Sequence, residues 1–461
     1  MPKSRALPTR KTRLDDGKLI ERLDQAFSVG DYALVIRQCE RLADAQSRSF
    51  EISIRWGTAL RLAGNPEASA MKLEQVRERI NFAEQLESKR VACLNELSRS
   101  YFELERYDEA SRILISLTET GSEEVNEGLF ANLVLVLEAD GRREAAVEQL
   151  AIGVQRFPNS LTLWEKLAEL QRQSERWEEA EVAYRRCRML APKNTIYCRR
   201  LITVYRHLKS LESEKLALEE WLELDPDNAV AKHMLAALDS SSPSGTPSRP
   251  DEKYIKQVFD EFSDTFDEQL HSLGYSAPKT IAEEIERRIG SQEGSFEILD
   301  VGCGTGLMAE FLRPYASHLI GIDLSERMLA KAESRQYDEL QCVEMVEFMS
   351  AQSKRFDLIV SADTFNYVGD LAHVIGAAFA ALRPGSMLIF SVEKHAGNMP
   401  RCGYTLNPNG RYSHSKEYVE QTLRDAGFTS VECHDAKFRE EAGNPVEGCF
   451  WSAIATEETA G

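Results

Sequence analysis

An all-α repeat region followed by an α/β domain built on a mostly parallel, seven-stranded sheet is the fold class that this 461-residue sequence predicts. Three observations carry the prediction. Prolines recur at a fixed interval in the first half, a Ser/Pro/Gly-rich run interrupts every period, and beyond it short apolar segments alternate with helix-like ones. The division that follows is a disordered basic tip at 1–14, helical repeats at 15–238, a linker at 239–251 and the α/β domain at 252–461. More than one domain suits a chain longer than a single core usually supports.

The tip, MPKSRALPTRKTR, is basic but lacks the apolar centre of a secretion signal, which leaves a transit peptide as the alternative to a plain disordered end. No apolar stretch approaches the length of a bilayer span. A formal net charge of -19 and a pI near 5.1 argue against a basic, phosphate-gripping face, so nucleic acid is not an expected partner. Nine cysteines are scattered without a CxxC pair. That usage fits free thiols in a reducing, cytoplasmic setting better than a disulfide frame, and it offers no metal site.

Pro158, Pro192 and Pro226 are evenly spaced (192 - 158 = 34 and 226 - 192 = 34), in the phrases RFPNS, LAPKN and LDPDN. Such a period is a repeat signal. Within LTLWEKLAELQRQSERWEEAEVAYRRCRMLAPKN, Trp164, Leu167 and Ala168 mark one helical face, Ala180, Tyr184 and Cys187 another, and SERWEE the turn between them. These residues resemble the tetratricopeptide repeat. Neighbouring units match through Leu201, Tyr205 and Pro226, through Leu133, Ala146 and Pro158, and through Leu94, Leu97, Tyr101 and Ala110; ALRLAGNPEASA and FSVGDYALVI suggest two more divergent turns upstream. Small residues such as Ala110, Ala146 and Ala180 let paired helices approach, and stacking buries a face that no single repeat could cover alone. The resemblance implies a solenoid with a concave face for a protein or peptide partner; a packing or dimerisation arm is the plainer reading.

After the linker DSSSPSGTPSRPD, strands are expected at FEILDV, HLIGID, ELQCVE, FDLIVSA, SMLIFSV, TSVECHDA and GCFWSAIA. Helical stretches between the early ones require a parallel sheet covered on both faces. The last two are joined by KFREEAGNPVE, which holds no helical pattern, so they pair as an antiparallel hairpin.

At the tip of the first strand, Asp300 precedes Gly302, Gly304 and Gly306. Open parallel sheets bind ligands at such tips, and the glycines allow a tight turn and close approach of a ligand to the backbone. The second strand ends in Asp323, and 323 - 302 = 21, a spacing suited to an acid that accepts hydrogen bonds from a ribose diol. A nucleoside derivative is the expected ligand. GTGLMA satisfies a GxGxxA pattern, so an NAD(P)-dependent oxidoreductase is an alternative; Asp300, however, would repel a pyrophosphate and favour the ammonium and sulfonium of S-adenosylmethionine.

ILDVGCGTG resembles the first motif of class I S-adenosylmethionine-dependent methyltransferases, which have a Rossmann-like fold. With the repeats, FDEFSDTFDEQLHSLGY, FDLIVSADTFNYVGDL and GRYSHSKEYVEQTLRDAGF, the chain resembles bacterial methyltransferases that carry tetratricopeptide repeats. The resemblance implies that Gly302, Gly304 and Gly306 run under the methionine part and ribose, and that Asp300 steers the amino end. It further implies that Asp323 binds the ribose, Leu324 and Met345 flank adenine, Glu344 meets the adenine amino group, and Ala362 and Asp363 sit beside the methionine end.

Methyl transfer needs alignment more than a nucleophilic side chain. Tyr254, Phe259, Phe262, Phe266, His271 and Tyr275 lie on a helical piece expected to cover the donor. In GRYSHS, His414 is the candidate proton acceptor, Arg411 a candidate clamp for a carboxylate or phosphate, and Tyr412 a third catalytic candidate. Tyr367, Glu393 and His395 follow strand tips and are further candidates. The acceptor stays open between a protein, a small molecule and a lipid or quinone precursor. So does a third reading, a repeat scaffold whose donor-binding domain no longer turns over.

Overall fold

The computed structural model describes residues 16–43, 49–80, 86–239, 247–290, 294–395, 402–441 and 444–456, so the tip at 1–14 and most of the 239–251 linker lie outside the described residues. Two compact units divide between Lys209 and Ser210.

Among its described residues the first unit has helices as its regular structure. It comprises α1 (Asp16–Ser28), α2 (Tyr32–Ala43), α3 (Phe50–Leu62), α4 (Pro66–Ile80), α5 (Glu87–Glu103), α6 (Tyr107–Thr118), α7 (Glu127–Ala139), α8 (Arg143–Arg156), α9 (Leu161–Gln173), α10 (Trp177–Leu190) and α11 (Ile196–His207). Serines start two of them: the Ser49 and Ser160 hydroxyls accept hydrogen bonds from the amides of Ile52 and Leu163. A left-handed residue ends the first helix of each pair, at Gly30, Gly64, Glu105, Gly141 and Glu175, and again at Lys209. Such a residue satisfies orphan carbonyls at the helix end and turns the chain back. Ala110, Ala146 and Ala180 are fully buried where helices meet. Gly57 makes the same accommodation in α3, since a Cβ there would lie 2.5 Å from Leu73 Cγ.

The second unit begins with α12 (Leu211–Leu224), α13 (Ala229–Asp239), α14 (Glu252–Phe262), α15 (Phe266–Ser272) and α16 (Ala277–Ile289). The sheet follows: β1 (Phe296–Val301), α17 (Ala309–Leu312), β2 (Ala316–Asp323), α18 (Glu326–Ala332), β3 (Glu339–Cys342), α19 (Met345–Ser350), β4 (Phe356–Ser361), α20 (Ala372–Ala381), β5 (Leu382–Lys394), β6 (Tyr404–Leu406), β7 (Tyr412–His414), α21 (Lys416–Asp425), β8 (Phe428–Glu441) and β9 (Asn444–Ala455). Strands β3, β2, β1, β4 and β5 are parallel in that order. An antiparallel β9 joins β5 and pairs with β8, the hairpin expected from the missing helix. Alternate residues feed two cores on opposite faces of the sheet: Leu299, Ile320, Ile359 and Leu388 on one, Ile298, Leu319, Leu358 and Ile389 on the other.

Two features differ from the sequence expectation. Nine strands occur among the described residues where seven were expected, because β6 and β7 form a short hairpin beyond the tip of β5. Each is only three residues long, too short for periodicity to reveal. Helices α12 and α13, which the repeat pattern assigns to 15–238, belong to the unit that holds the sheet. Ala237 shares an apolar cluster with Leu406 and Tyr412, and His233 Nε2 lies 2.9 Å from the Gly410 carbonyl. No described helix is long and apolar enough to cross a membrane.

Candidate active site

A cavity of about 270 Å³ lies at the carboxyl tips of β1, β2 and β4, roofed by α14 and α15. Asp300, Gly302, Gly304, Asp323, Leu324, Met345, Ala362 and Asp363 line it; Gly306 and Glu344 do not.

The three glycines have separate tasks. Each holds a positive φ, +71°, +55° and +85° in order. A Cβ on Gly302 would lie 2.1 Å from Thr364 Oγ1, so that glycine lets the tip of β4 close on the turn. A Cβ on Gly304 would meet only Phe266, at 3.9 Å, and would project into otherwise open space; this is the glycine that yields room to a ligand. Gly306, expected under the donor, lies outside the lining. Its missing Cβ leaves space for Arg335 Cγ at 2.8 Å and Tyr337 Cε2 at 3.0 Å.

That slot matters because Tyr337 reaches through it to donate a 2.6 Å hydrogen bond to Asp300 Oδ2. Asp300 is 1% exposed, and its Oδ1 has no hydrogen-bond partner among the described residues. Burial pushes this carboxyl up to about 7, against the Tyr337 hydrogen bond and with help from the nearby Asp323 charge. A buried carboxylate with one oxygen unsatisfied is stabilised by any cation brought to it. Asp323 closes the other side of the turn: Oδ2 accepts from the Gly304 amide at 3.0 Å and Oδ1 from the Ser325 amide at 2.9 Å. Its pKa is also raised by burial. Each oxygen keeps a second lone pair for a ligand hydroxyl.

Glu344, expected at the adenine amino group, also lies outside the lining. Its Oε2 accepts from the Glu347 amide at 2.8 Å, capping α19, and its Oε1 accepts from Arg249 Nη2 at 2.8 Å. Both oxygens are thus engaged, one of them by an arginine of the cavity wall, whereas Met345 itself lines the cavity.

The roof is aromatic. Phe259, Phe262, Phe266 and Tyr275 line the cavity, with Phe259 packed edge-on against Phe266 and Tyr367. Tyr254 is instead buried against His233, and His271 is exposed outside the lining. Acids on the outer side latch the roof to the donor loops. Asp260 accepts from the Ser325 hydroxyl at 2.6 Å, Asp267 from Thr305 at 2.5 Å, and Asp264 pairs with Arg327 at 2.9 Å and Lys331 at 3.2 Å.

At the far end, Arg439 is 3% exposed and joins three strand tips. It donates to Asp363 Oδ2 at 2.7 Å and to Glu441 Oε1 at 2.7 Å, and it also pairs with Glu393. Arg411 approaches Glu393 at 2.8 Å and donates to Glu441 at 2.5 Å. Asp363, at φ +60°, has its Oδ1 held by Asn366 at 3.1 Å and its amide by Ser391 at 2.8 Å. Tyr367 lines this end, and His395 lies 3.2 Å from the Ser413 hydroxyl.

Of the three candidates in GRYSHS, only Arg411 lines the cavity. His414 is 2% exposed, and its Nε2 lies 2.9 Å and 3.0 Å from the carbonyls of Val368 and Gly369. Carbonyls only accept, so Nε2 carries the proton and anchors backbone. Burial drives the ring down to about 4. Tyr412 is fully buried among Ala237, Leu406 and Tyr404. The expectations of a proton-accepting His414 and a catalytic Tyr412 are corrected accordingly.

Sequence reading missed Tyr337, Arg439 and Glu441. Arg439 and Glu441 sit two apart on β8, so strand periodicity gives them one face once that strand is extended past Ala436. Tyr337 carries no motif of its own; an unexplained glycine at 306 opposite another at 321, where a Cβ would lie 2.9 Å from its ring, is the only trace.

A parallel sheet with a glycine turn, a buried acid ahead of it and a second acid at the next strand tip defines an adenosyl-donor enzyme of the S-adenosylmethionine-dependent methyltransferase class. The family model and the curated relatives agree. Residues 270–433 match the family model described as a methyltransferase domain. A ubiquinone biosynthesis O-methyltransferase of Acinetobacter baumannii (strain AYE) is 25% identical over 186 residues, covering 37% of this chain and 76% of that protein. One from Coxiella burnetii (strain Dugway 5J108-111) is 30% identical over 151 residues, 31% of this chain and 64% of that protein. Among solved structures, the Burkholderia thailandensis 1,6-didemethyltoxoflavin-N1-methyltransferase with bound S-adenosylhomocysteine aligns with a TM-score of 0.37 and 18% identity, covering 47% of this chain and 95% of that one. The chain is an S-adenosylmethionine-dependent methyltransferase.

Proposed function

We propose that this methyltransferase acts on a hydroxyl oxygen and that its helical unit is a tetratricopeptide array that brings a protein partner or substrate to it. S-Adenosylmethionine supplies an activated methyl group on a sulfonium. The chain's own residues supply position: Asp300 for the ammonium, the turn at Gly302–Gly306 for the methionine part and ribose, Asp323 for the ribose hydroxyls, and Leu324 and Met345 for adenine. Holding two reactants in line contributes roughly 7 to 11 kcal/mol, so no nucleophilic side chain is needed.

The observation that carries the donor reading is the buried, unsatisfied Oδ1 of Asp300 at the head of the glycine turn. A dinucleotide pyrophosphate would bring two further negative charges to that oxygen, which is why the NAD(P)-dependent alternative fails on charge. The oxygen acceptor is supported by the names of the O-methyltransferase relatives. The repeat reading is supported by the left-handed turns, since 175 - 141 = 34 and 209 - 175 = 34, in step with the prolines. All described cysteines are free thiols, in keeping with a reducing, cytoplasmic setting.

Equilibrium binding tests the donor half: micromolar S-adenosylhomocysteine affinity without NADH affinity is expected, and the reverse result rejects the reading. Incubating a cell extract with labelled donor and fractionating the product by size then reports whether the methyl group ends on a protein or a small molecule.

A further inference from the structure

We propose that the far end of the cavity is the acceptor site, and that it takes an uncharged, hydroxyl-bearing aromatic molecule and turns away the carboxylated counterpart. The inference rests on the donor assignment above and deepens it.

The walls at this end are of two kinds. One is aromatic: Phe259 stands between Phe266 and Tyr367, with ring centroids 6.2 Å and 5.2 Å away and planes inclined at 70° and 73°. Phe266 is also the residue nearest the open face of Gly304, so the aromatic roof runs from the donor turn to the tip of β4. A flat apolar body fits under such edge-on rings. The hydroxyls of Tyr275 and Tyr367, both in the lining, have no hydrogen-bond partner among the described residues and can receive or orient an acceptor hydroxyl.

The other wall is ionic, and among the described residues every guanidinium in it is paired with an acid. Three described cations line the cavity, Arg249, Arg411 and Arg439. Arg249 is paired with Glu344, Arg411 with Glu393 and Glu441, and Arg439 with Asp363, Glu393 and Glu441. The far wall thus opposes three carboxylates with two guanidiniums. Asp300 and Asp323 add negative potential from the donor side, matched to a cationic donor. A carboxylate on the acceptor would lose its hydration here and meet guanidiniums that acids already neutralise, a penalty that works as selection against it. This replaces the expectation that Arg411 clamps a carboxylate or phosphate.

A free phenol and a tyrosine side chain of a recruited protein share this chemistry, and the size fractionation described above separates the two sources. The selectivity itself is tested on the full-length chain saturated with S-adenosylhomocysteine. 4-Ethylphenol and 4-hydroxyphenylacetate, alike in ring and hydroxyl but different in charge, are titrated by ligand-observed NMR. 4-Ethylphenol is expected to bind at least about tenfold tighter, the order that one unpaired charge imposes. Glu441→Gln, which releases guanidinium donors, narrows that ratio. Equal binding of the two probes, preference for the carboxylate, or binding of neither overturns the proposal even if the variant proves unstable. Loss of S-adenosylhomocysteine binding by the unmutated chain would instead overturn the donor assignment.

Discussion

Donor affinity should depend on pH through a single buried group. Asp300 carries a pKa of about 7 in the free protein, because burial opposes its charge and one of its oxygens has no partner. A cationic donor ammonium needs the ionised form, so below pH 7 binding must first expel a proton. If the bound carboxylate stays ionised to below pH 5.5, affinity at pH 5.5 falls about thirtyfold from its value at pH 8, or about 2 kcal/mol, since each unit below the free pKa costs about tenfold. Other ionisable groups facing Asp300 are Tyr337, Cys303 and Asp323. The first two are held neutral by burial, and burial also raises Asp323 above the usual carboxylate range.

Calorimetry of S-adenosylhomocysteine binding between pH 5.5 and 8, repeated in buffers of different ionisation enthalpy, reads both quantities. Proton release approaching one per site is expected near pH 6, with none at pH 8. Linkage gives the free protein the opposite trend in stability. A carboxyl raised from 3.8 to about 7 on folding contributes stability that is complete below pH 4 and is lost as pH rises through 7. The thermal shift produced by donor should therefore grow with pH. Asp300→Asn should bind weakly at every pH and show no proton release. An affinity for the unmutated chain that is flat from pH 5.5 to 8 refutes the reasoning, because then Asp300 either is ionised in the free protein or does not meet the donor.

Other consequences are more local. Asp323→Ala should cost roughly 1.5 to 3 kcal/mol of donor binding, the order for hydrogen bonds to a charged group, and unchanged affinity in a folded variant would refute the ribose assignment. Gly304→Ala should weaken donor binding and lose only the stability that its own positive φ costs an alanine, whereas Gly302→Ala should destabilise the fold further, by about 1 to 3 kcal/mol, because its methyl would also collide with Thr364; chemical denaturation of both variants tells them apart. A fragment of residues 210–461 should fold and bind donor, while 252–461 should be less stable, having uncovered Tyr254, Leu406 and Tyr412 by deleting α13; equal melting temperatures would show that α13 contributes nothing to that unit.

The parts of this molecule that could be read from sequence are those fixed by local geometry. Asp300, the glycine turn and Asp323 lie at successive strand tips, where a period of two residues and one crossover determine position, so spacing alone brings them to one crevice. The long strands were legible for the same reason, and the three-residue β6 and β7 were not. What escaped was set by register between distant segments. Tyr337 acts on Asp300 only because β1, β2 and the turn leave a slot at Gly306 and Gly321, and Arg439 gains its role only when β8 pairs with β9 beside β5. His414 misled because GRYSHS has the composition of a catalytic loop, while the fold turns its ring onto two backbone carbonyls and leaves Arg411, three residues earlier, in the cavity wall. Residue type at a strand tip therefore identified the donor side, which a charge and a turn define. The acceptor side is defined by which charges cancel, and that balance exists only after β4, β5, β7 and β8 have met.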